Sequence, residues 1–343
     1  MTIHSEKNAS SLSPVLLVLR LLGPLALIVF VFIYFEDIRG AFRQSMTIGT
    51  KFLLLFPLFF VWNHVAALGW KRVIPCDEKF PRIRAWRLAL IRYTAQSVNM
   101  VVPFSVGTPI LKSYFLAKVN NDLKKSAASV VVDTATATAM EVLLSIIVLA
   151  CFQNWFSANK LYLNILFLTP CILIPVSIVL VTLLRSNAPR FRYLKQKLFS
   201  HSFWHLNEYC PTRSNLGICA LAHFLEQLLM VSEIWLISYW MGISLNVTQV
   251  LWVTAIMNSF SFVLFFLPGR IGAIEGGIAA AFSMLGFPVS LGLSVGLIRR
   301  ARQISVYGIG LMTLFASGNL FAFRQSSNND SIRTIIEGSY GKK

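Results

Sequence analysis

The sequence predicts an all-α polytopic integral membrane protein with six to eight transmembrane helices and two Pro/Gly-broken re-entrant hairpins. Three observations lead there. Hydrophobic residues make up 56% of the chain and charged residues only 13%, against roughly 25% charged in a soluble domain. Uncharged runs of 17 to 24 residues recur along it, long enough to cross the ~30 Å bilayer core. Two apolar segments are interrupted by proline and glycine, and a broken helix at that depth is tolerated only where protein or a water-filled cavity surrounds it. The formal net charge of +17 comes from 31 Lys and Arg against 14 Asp and Glu. These basic residues cluster between the apolar runs, the pattern of cytoplasmic loops facing anionic headgroups, so no nucleic-acid partner is expected.

Residues 1–13 read as a cytoplasmic tail, residues 14–323 as one transmembrane domain and residues 324–343 as a second cytoplasmic tail. The first apolar run, 15–35, is too long for a signal-peptide core and stays as a span. A second span covers 52–70, with Asn63 and His64 as satisfied polar groups facing the bundle. The most basic segment, 71–92, is placed in the cytoplasm, with Ile83, Trp86, Leu90 and Tyr93 at the spacing of an interfacial helix. Residues 97–112 are apolar but short, broken at Pro103, Gly107 and Pro109 and flanked by basic residues on both sides. They read as a hairpin entering and leaving by the cytoplasmic face.

A third span, 127–152, carries Asp133 and Glu141, and a fourth covers 161–184. The basic stretch 185–213 contains a second interfacial helix; its His201 and His205 lack further ligands nearby, so no metal is expected. The fifth span, 216–241, sets Glu226 and Glu233 on one face, with His223 one turn before Glu226. Residues 251–285 hold the second break, and the last span, 303–323, is led in by Arg299, Arg300 and Arg302. Both termini then face the cytoplasm from the cell membrane. Cys76, Cys151, Cys171, Cys210 and Cys219 show no framework spacing and read as reduced thiols.

The second break concentrates the chemistry. Pro268, Gly269, Gly272 and Gly276 are its hinges, as Pro103 and Gly107 are for the first. Both breaks contain Pro-x-x-aliphatic-Gly, 165 residues apart, the kind of recurrence that marks inverted repeats in transporters. Arg270 and Glu275 are ionisable at membrane depth and hence functional candidates. A phosphate-bearing lipid headgroup needs cationic donors, for which Arg270, Lys112, Arg299, Arg300 and Arg302 are the lipid-binding candidates. Helix N-termini after Gly107 and Gly272 would add amide donors. Glu275 is either a partner of Arg270 or Arg302 or a proton carrier. The competing structural reading makes Arg270–Glu275 a clamp and the three later arginines ordinary interfacial residues. Asp133, Glu141, Glu226 and Glu233 are the charge partners expected to neutralise those arginines, and Gly276 and Gly277 allow close helix packing. No catalytic motif is found, neither His-Glu-x-x-His nor Gly-x-Ser-x-Gly nor a P-loop, and no cofactor is expected.

Leu267-Pro-Gly-Arg-Ile-Gly-Ala-Ile-Glu-Gly-Gly277, followed by Leu297-Ile-Arg-Arg-Ala-Arg302, resembles the transmembrane region of the lysylphosphatidylglycerol synthase family. That family includes stand-alone membrane proteins and the flippase half of the multiple peptide resistance proteins. The form of the motif looks closest to the hopanoid-biosynthesis-associated branch. The span from Glu226 to Trp235 and the segment Pro103 to Leu116 are also similar, the resemblance covering about residues 12–322. Lys112 stands where the family has arginine, and Thr108-Pro109 stands where it has an acidic residue. On this reading the soluble aminoacyl-transfer domain of the synthases has no counterpart here.

The resemblance implies lipid handling rather than lysyl transfer. The expected ligands are membrane lipids, anionic or amphipathic: a phospholipid, a hopanoid or a lipid-linked precursor, translocated or trafficked across or out of the cytoplasmic membrane. Two other classes fit the same buried charges. One is an accessory or scaffold subunit partnered with lipid-biosynthesis enzymes; the other is a membrane-embedded lipid transferase.

Overall fold

A computed structural model describes residues 35–75, 83–98, 107–152, 211–264 and 267–316. Among them the chain is helical, with no strand. Helix α1 (Phe35–Ser45) leads through a 3₁₀ stretch (Met46–Leu54), kinked at Gly49 with φ 54°, into α2 (Leu55–Val73). Then follow α3 (Ala85–Val98), α4 (Gly107–Asn120), α5 (Leu123–Phe152), α6 (Arg213–Trp240), α7 (Val247–Val263), α8 (Ala273–Met284) and α9 (Val289–Ala316). Polar caps set two of the starts. The Thr212 side chain accepts from the Asn215 N–H at the head of α6, and Asn246 and Gln249 form a reciprocal capping box at the head of α7.

Three helical stretches are long and apolar enough to cross a membrane: Phe42–Val73, Leu123–Cys151 and Arg213–Trp240. Only 33% of each apolar window is buried within the protein, so the apolar surface turned outward must meet lipid rather than water. This is an all-α integral membrane protein. By contrast α4 and α8, of 14 and 12 residues, extend only about 21 and 18 Å at 1.5 Å per residue. Neither crosses the core alone.

The order of elements recurs. Helix, short helix, tight turn and long helix run through α3, α4 and α5, and again through α7, α8 and α9. Gly107 opens α4 and Gly272 caps α8, so the two glycines of the shared motif hold corresponding places. Pro103 lies outside the described residues. Each short helix packs on its own neighbours, α4 on α3 and α5, α8 on α7 and α9, while α2 lies along α6 and α9 reaches α1 and α3.

In lipid, apolar side chains gain little by leaving the solvent for one another, and helices associate through close van der Waals approach. The glycines at these contacts provide it. A Cβ on Gly277 would stand 2.9 Å from the Met257 Cα on α7, one on Gly292 2.7 Å from the Ala279 Cα, and one on Gly69 2.7 Å from the Ala222 Cβ on α6. Gly276 differs: it lies within α8 and a Cβ there meets nothing within 4 Å. Of the two adjacent glycines, Gly277 is the packing residue.

Two expectations need correction. The segment around Arg92 is not an interfacial helix: α3 runs to Val98 and buries Leu88, Ile91, Arg92 and Ala95 against α2, α4 and α9. Of the four residues expected on the apolar face of that interfacial helix, Trp86 and Leu90 face outward while Ile83 and Tyr93 are buried in the protein. The face differs because one of the buried residues is an arginine. Likewise the last span does not begin at 303. Helix α9 starts at Val289, so Arg299, Arg300 and Arg302 sit mid-helix and buried, not at a water-facing end. The first span apart from Phe35, the fourth span, the second interfacial helix with His201 and His205, and both tails lie outside the described residues.

Gly277→Ala is expected to lower stability by about 1–3 kcal/mol, because the clash is with α7 backbone that cannot swing aside. Gly276→Ala should be neutral or slightly stabilising. Thermal unfolding of both purified variants in detergent checks the contrast, and equal effects would refute the packing assignment.

Candidate functional site

The two repeated units and helices α2 and α6 enclose a cavity of about 370 Å³, lined by side chains from every helix from α2 to α9. Its walls carry a density of charge that no membrane-embedded surface would hold without mutual compensation. The charged groups fall into three clusters.

The first is built on α9. Arg300 donates from Nε to Glu275 Oε1 (2.5 Å) and from one terminal nitrogen to Glu275 Oε2 (3.1 Å) and the Arg270 carbonyl (3.2 Å). Its other terminal nitrogen donates to the Gly269 carbonyl (3.0 Å) and to Gln303 Oε1 (3.0 Å). A guanidinium has five N–H donors, and all five are engaged. Arg300 therefore grips both the N-terminus of α8 and the loop before it, with no donor left for a ligand. Glu275 also accepts from the Gly272 N–H (2.9 Å), a carboxylate closing the first turn of its own helix. Gly296, one turn before Arg300, makes this approach fit: a Cβ there would stand 3.1 Å from the Glu275 Cα. The clamp foreseen between Arg270 and Glu275 is thus made by Arg300, not by Arg270 or Arg302.

The second cluster centres on Glu233. Arg299 Nε donates to Glu233 Oε2 (3.2 Å), and Arg302 donates to the same oxygen (3.3 Å). Arg302 Nε stands 2.6 Å from Glu233 Oε1, a charge contact without hydrogen-bond alignment. Its guanidinium also lies over Phe59 and Trp62, 5.0 and 5.4 Å from the ring centres.

The third joins Asp133, Glu226 and His223 to Arg92 and Lys112. Lys112 Nζ is bonded to Asp133 Oδ2 and lies 4.4 Å from the centre of the Trp70 ring. Arg92 donates to Glu226 Oε1 (2.8 Å), approaches Asp133 Oδ2 (3.5 Å) and donates to Asn63 Oδ1 (3.3 Å). His223 spans Glu226 Oε2 (2.7 Å) and Asp133 Oδ1 (2.9 Å). Asn63 is the satisfied bundle-facing group expected of it, its amide also donating to the Ala89 carbonyl, whereas His64, expected to face the bundle as well, is exposed. Ligand atoms of Cys219, His223 and Asp133 lie within 4.8 Å of one another. However, Lys112 and Arg92 already hold that carboxylate, so a divalent cation there would meet like charge.

The short and long helices of the two units are joined by equivalent ion pairs with the signs exchanged. In the first unit the short helix supplies the cation, Lys112, and the long helix the acid, Asp133. In the second the short helix supplies the acid, Glu275, and the long helix the cation, Arg300.

The chain matches the model of the lysylphosphatidylglycerol synthase transmembrane region over residues 14–310. It belongs to that family. No curated protein and no solved structure matches it. Membership sets the cavity in a membrane protein of lipid handling.

The site residues named from sequence are largely gathered here. Arg270, Glu275, Lys112, Arg299, Arg300 and Arg302 all line the one cavity, with Asp133, Glu141 and Glu226 facing them. The carboxylates sort differently from expectation. Only Glu233 neutralises Arg299 and Arg302, while Asp133 and Glu226 serve Arg92, Lys112 and His223. Among the described residues two cavity-lining charges have no ion pair: Arg270 and Glu141. With Asn121, Arg270 is one of two non-glycine residues with positive φ among the described residues, and its backbone is strained. Its φ is 51°, a left-handed conformation flanked by Gly269 at 59° and Gly272 at 81°, costing a non-glycine residue roughly 1–2 kcal/mol. Arg92 was missed as a cavity residue. The available signal was that it is the single charge in the otherwise uncharged run from Leu88 to Val102.

Arg300→Gln is expected to destabilise the protein by about 3–5 kcal/mol by stranding the Glu275 carboxylate. Combining it with Glu275→Gln should recover part of that loss. A double-mutant cycle on detergent unfolding reads the coupling, and additive effects would contradict the clamp.

Proposed function

We propose that this protein binds the phosphate-bearing headgroup of an amphipathic lipid in the cavity and moves the lipid across or out of the cytoplasmic membrane. The observation that carries the reading is Arg270: a guanidinium lining the cavity without an ion pair among the described residues, held in a left-handed backbone by the Arg300 grip on its carbonyl. A planar guanidinium fork suits phosphate oxygens. Helix α8 begins two residues beyond Arg270's neighbour Ile271 and α4 begins at Gly107, so positive helix ends accompany the cation. Lys112, Arg299 and Arg302 add a positive surround whose charge is already balanced. Arg300 acts as a positioning residue. The pair of broken helical units around one cavity is the arrangement through which alternating access works in other transporters. The lipid class includes phospholipids, hopanoids with a charged headgroup and polyprenyl-linked precursors. Basic segments between the apolar runs support cytoplasmic termini.

The test compares wild type, Arg270→Ala and Arg270→Lys in the native host, with total lipid and leaflet distribution quantified separately. Arg270→Ala should leave total lipid unchanged and slow redistribution at least about tenfold, with partial recovery in Arg270→Lys, which keeps the charge but not the fork. Accumulated precursor with a changed product spectrum would instead make the protein a transferase. Wild-type behaviour in both variants would favour an accessory subunit of a biosynthetic complex.

A further inference from the structure

The third cluster contains a pair of hydrogen bonds that its residues cannot make with a neutral histidine. His223 has Nδ1 2.7 Å from Glu226 Oε2 and Nε2 2.9 Å from Asp133 Oδ1. Both are hydrogen-bond distances, and each bond needs a proton. A neutral imidazole carries a single N–H, and an ionised carboxylate carries none. The array therefore holds one proton more than a neutral histidine between two carboxylates. Turning the ring over would set carbon atoms against both carboxylates and lose both bonds. Arg92 and Lys112 pair with the same two carboxylates, so the extra proton belongs to the ring.

The surroundings give that proton a way out through the cavity. His223 and Asp133 are 0% and 1% exposed, and the Glu226 side chain, at 13%, is the most open of the three. Glu226 and Asp133 line the cavity, and His223 joins them. Around the ring, α5 supplies Asp133, with Glu141 two turns further along and within electrostatic reach of Glu226 and Arg270. Arg92 of α3 and Lys112 of α4 hold the carboxylates, and the Cys219 sulfur of α6 lies within 4.8 Å of the facing His223 and Asp133 atoms. The cations of α9 are committed elsewhere, Arg299 and Arg302 to Glu233 and Arg300 to Glu275. Helix α7 carries no charge. His64, Lys71 and Arg72 of α2 and Lys51 of the 3₁₀ stretch are exposed. Of the buried groups, imidazole is the one whose ordinary titration falls near physiological pH.

With the ring neutral, Arg92 and Lys112 balance Asp133 and Glu226. With it protonated, the cluster carries one positive charge in excess. The carboxylates of that cluster and Arg270 line one cavity. An anion at Arg270 favours the protonated ring, and by linkage the proton favours the anion. Once the anion leaves, the excess charge is unanswered and costly at membrane depth. We propose that Asp133, His223 and Glu226 form a proton-binding site that takes up one proton with each anionic headgroup and gives it up when the headgroup leaves. The release is a plain acid–base step. The His223 Nδ1–H bond breaks, the proton passes to Glu226 Oε2 as an O–H and from there to water, and no electron changes hands. A monoanionic phosphate and one proton then cross as a neutral pair. This rests on the transport reading above and adds its coupling ion.

The full chain is reconstituted in phosphatidylcholine vesicles with a trace of acyl-labelled fluorescent phosphatidylglycerol, and the label in each leaflet is read by chemical quenching from outside. Under a pH difference of about one unit, the probe should gather at least about threefold on the alkaline side, toward the roughly tenfold limit for one proton per lipid. Reversing the gradient should reverse the gathering, and His223→Gln should abolish it. Nitrogen-15 NMR of the histidine-labelled chain should show both ring nitrogens of His223 protonated, its signals being those lost in His223→Gln. The wild-type response to the gradient needs no variant and decides the matter if His223→Gln does not fold. Movement of the probe faster than in protein-free vesicles, yet with the same final distribution with and without the gradient, overturns proton coupling and leaves lipid transport intact. A gathering kept in full by His223→Gln, or a His223 ring with a single N–H, overturns the assignment to this array. No movement beyond that in protein-free vesicles overturns the transport reading and the coupling with it.

Discussion

The five-donor grip of Arg300 is the constraint on which the rest of the site depends. Lipid offers no water to a loop interrupted by proline and glycine, so its carbonyls must find protein donors. Arg300 supplies them for Gly269 and Arg270 while neutralising Glu275 at the head of α8. One side chain thereby ties the loop to the helix that follows it and to α9. That tie lets Arg270 keep a left-handed backbone, a conformation that persists only where the surroundings over-determine it. The close approach depends in turn on Gly296 lying against Glu275. The cost of burying a charge, the geometry of a broken helix and the placing of a glycine are one arrangement.

The recurrence of the helical order extends this to the whole bundle. Each unit ends in a short helix fastened to a long one by a buried ion pair, and the cavity lies between the units. Exchanging the signs keeps each unit neutral at its own junction while setting cations from both units, Lys112 and Arg300, on the cavity wall. Nearly every charge is answered by an ion pair; Arg270 and Glu141 face each other across the cavity without one among the described residues. Ligand chemistry is legible in a membrane interior for this reason. A water-facing surface could carry the same groups at no cost and so with no meaning.

Much of this was readable without coordinates. Composition and run length establish helices in a membrane, since no other structure satisfies a backbone across so many apolar residues except a closed barrel. The Pro-Gly break before Arg270 and the shared Pro-x-x-aliphatic-Gly spacing located both short helices, because glycine and proline act on backbone conformation locally. Where sequence reasoning failed, it failed at buried charge. Arg92 was assigned to a basic cytoplasmic segment and the arginines of α9 to the lead-in of the last span, since an arginine in isolation prefers water. They lie inside because carboxylates from distant segments meet them, 41 and 134 residues away for Arg92.

Sequence alone determined the membrane setting, the helical class, the interruption before Arg270 and the residue types gathered at it, all of which follow from short-range rules of backbone satisfaction and apolar length. Only the tertiary structure decided which cation answers which carboxylate. It moved the clamp from Arg270 to Arg300, joined Glu226 to Arg92 and left Arg270 without an ion pair among the described residues. Pairing falls off within a few ångströms, and distances of that order between residues far apart in the chain are set by how the helices pack.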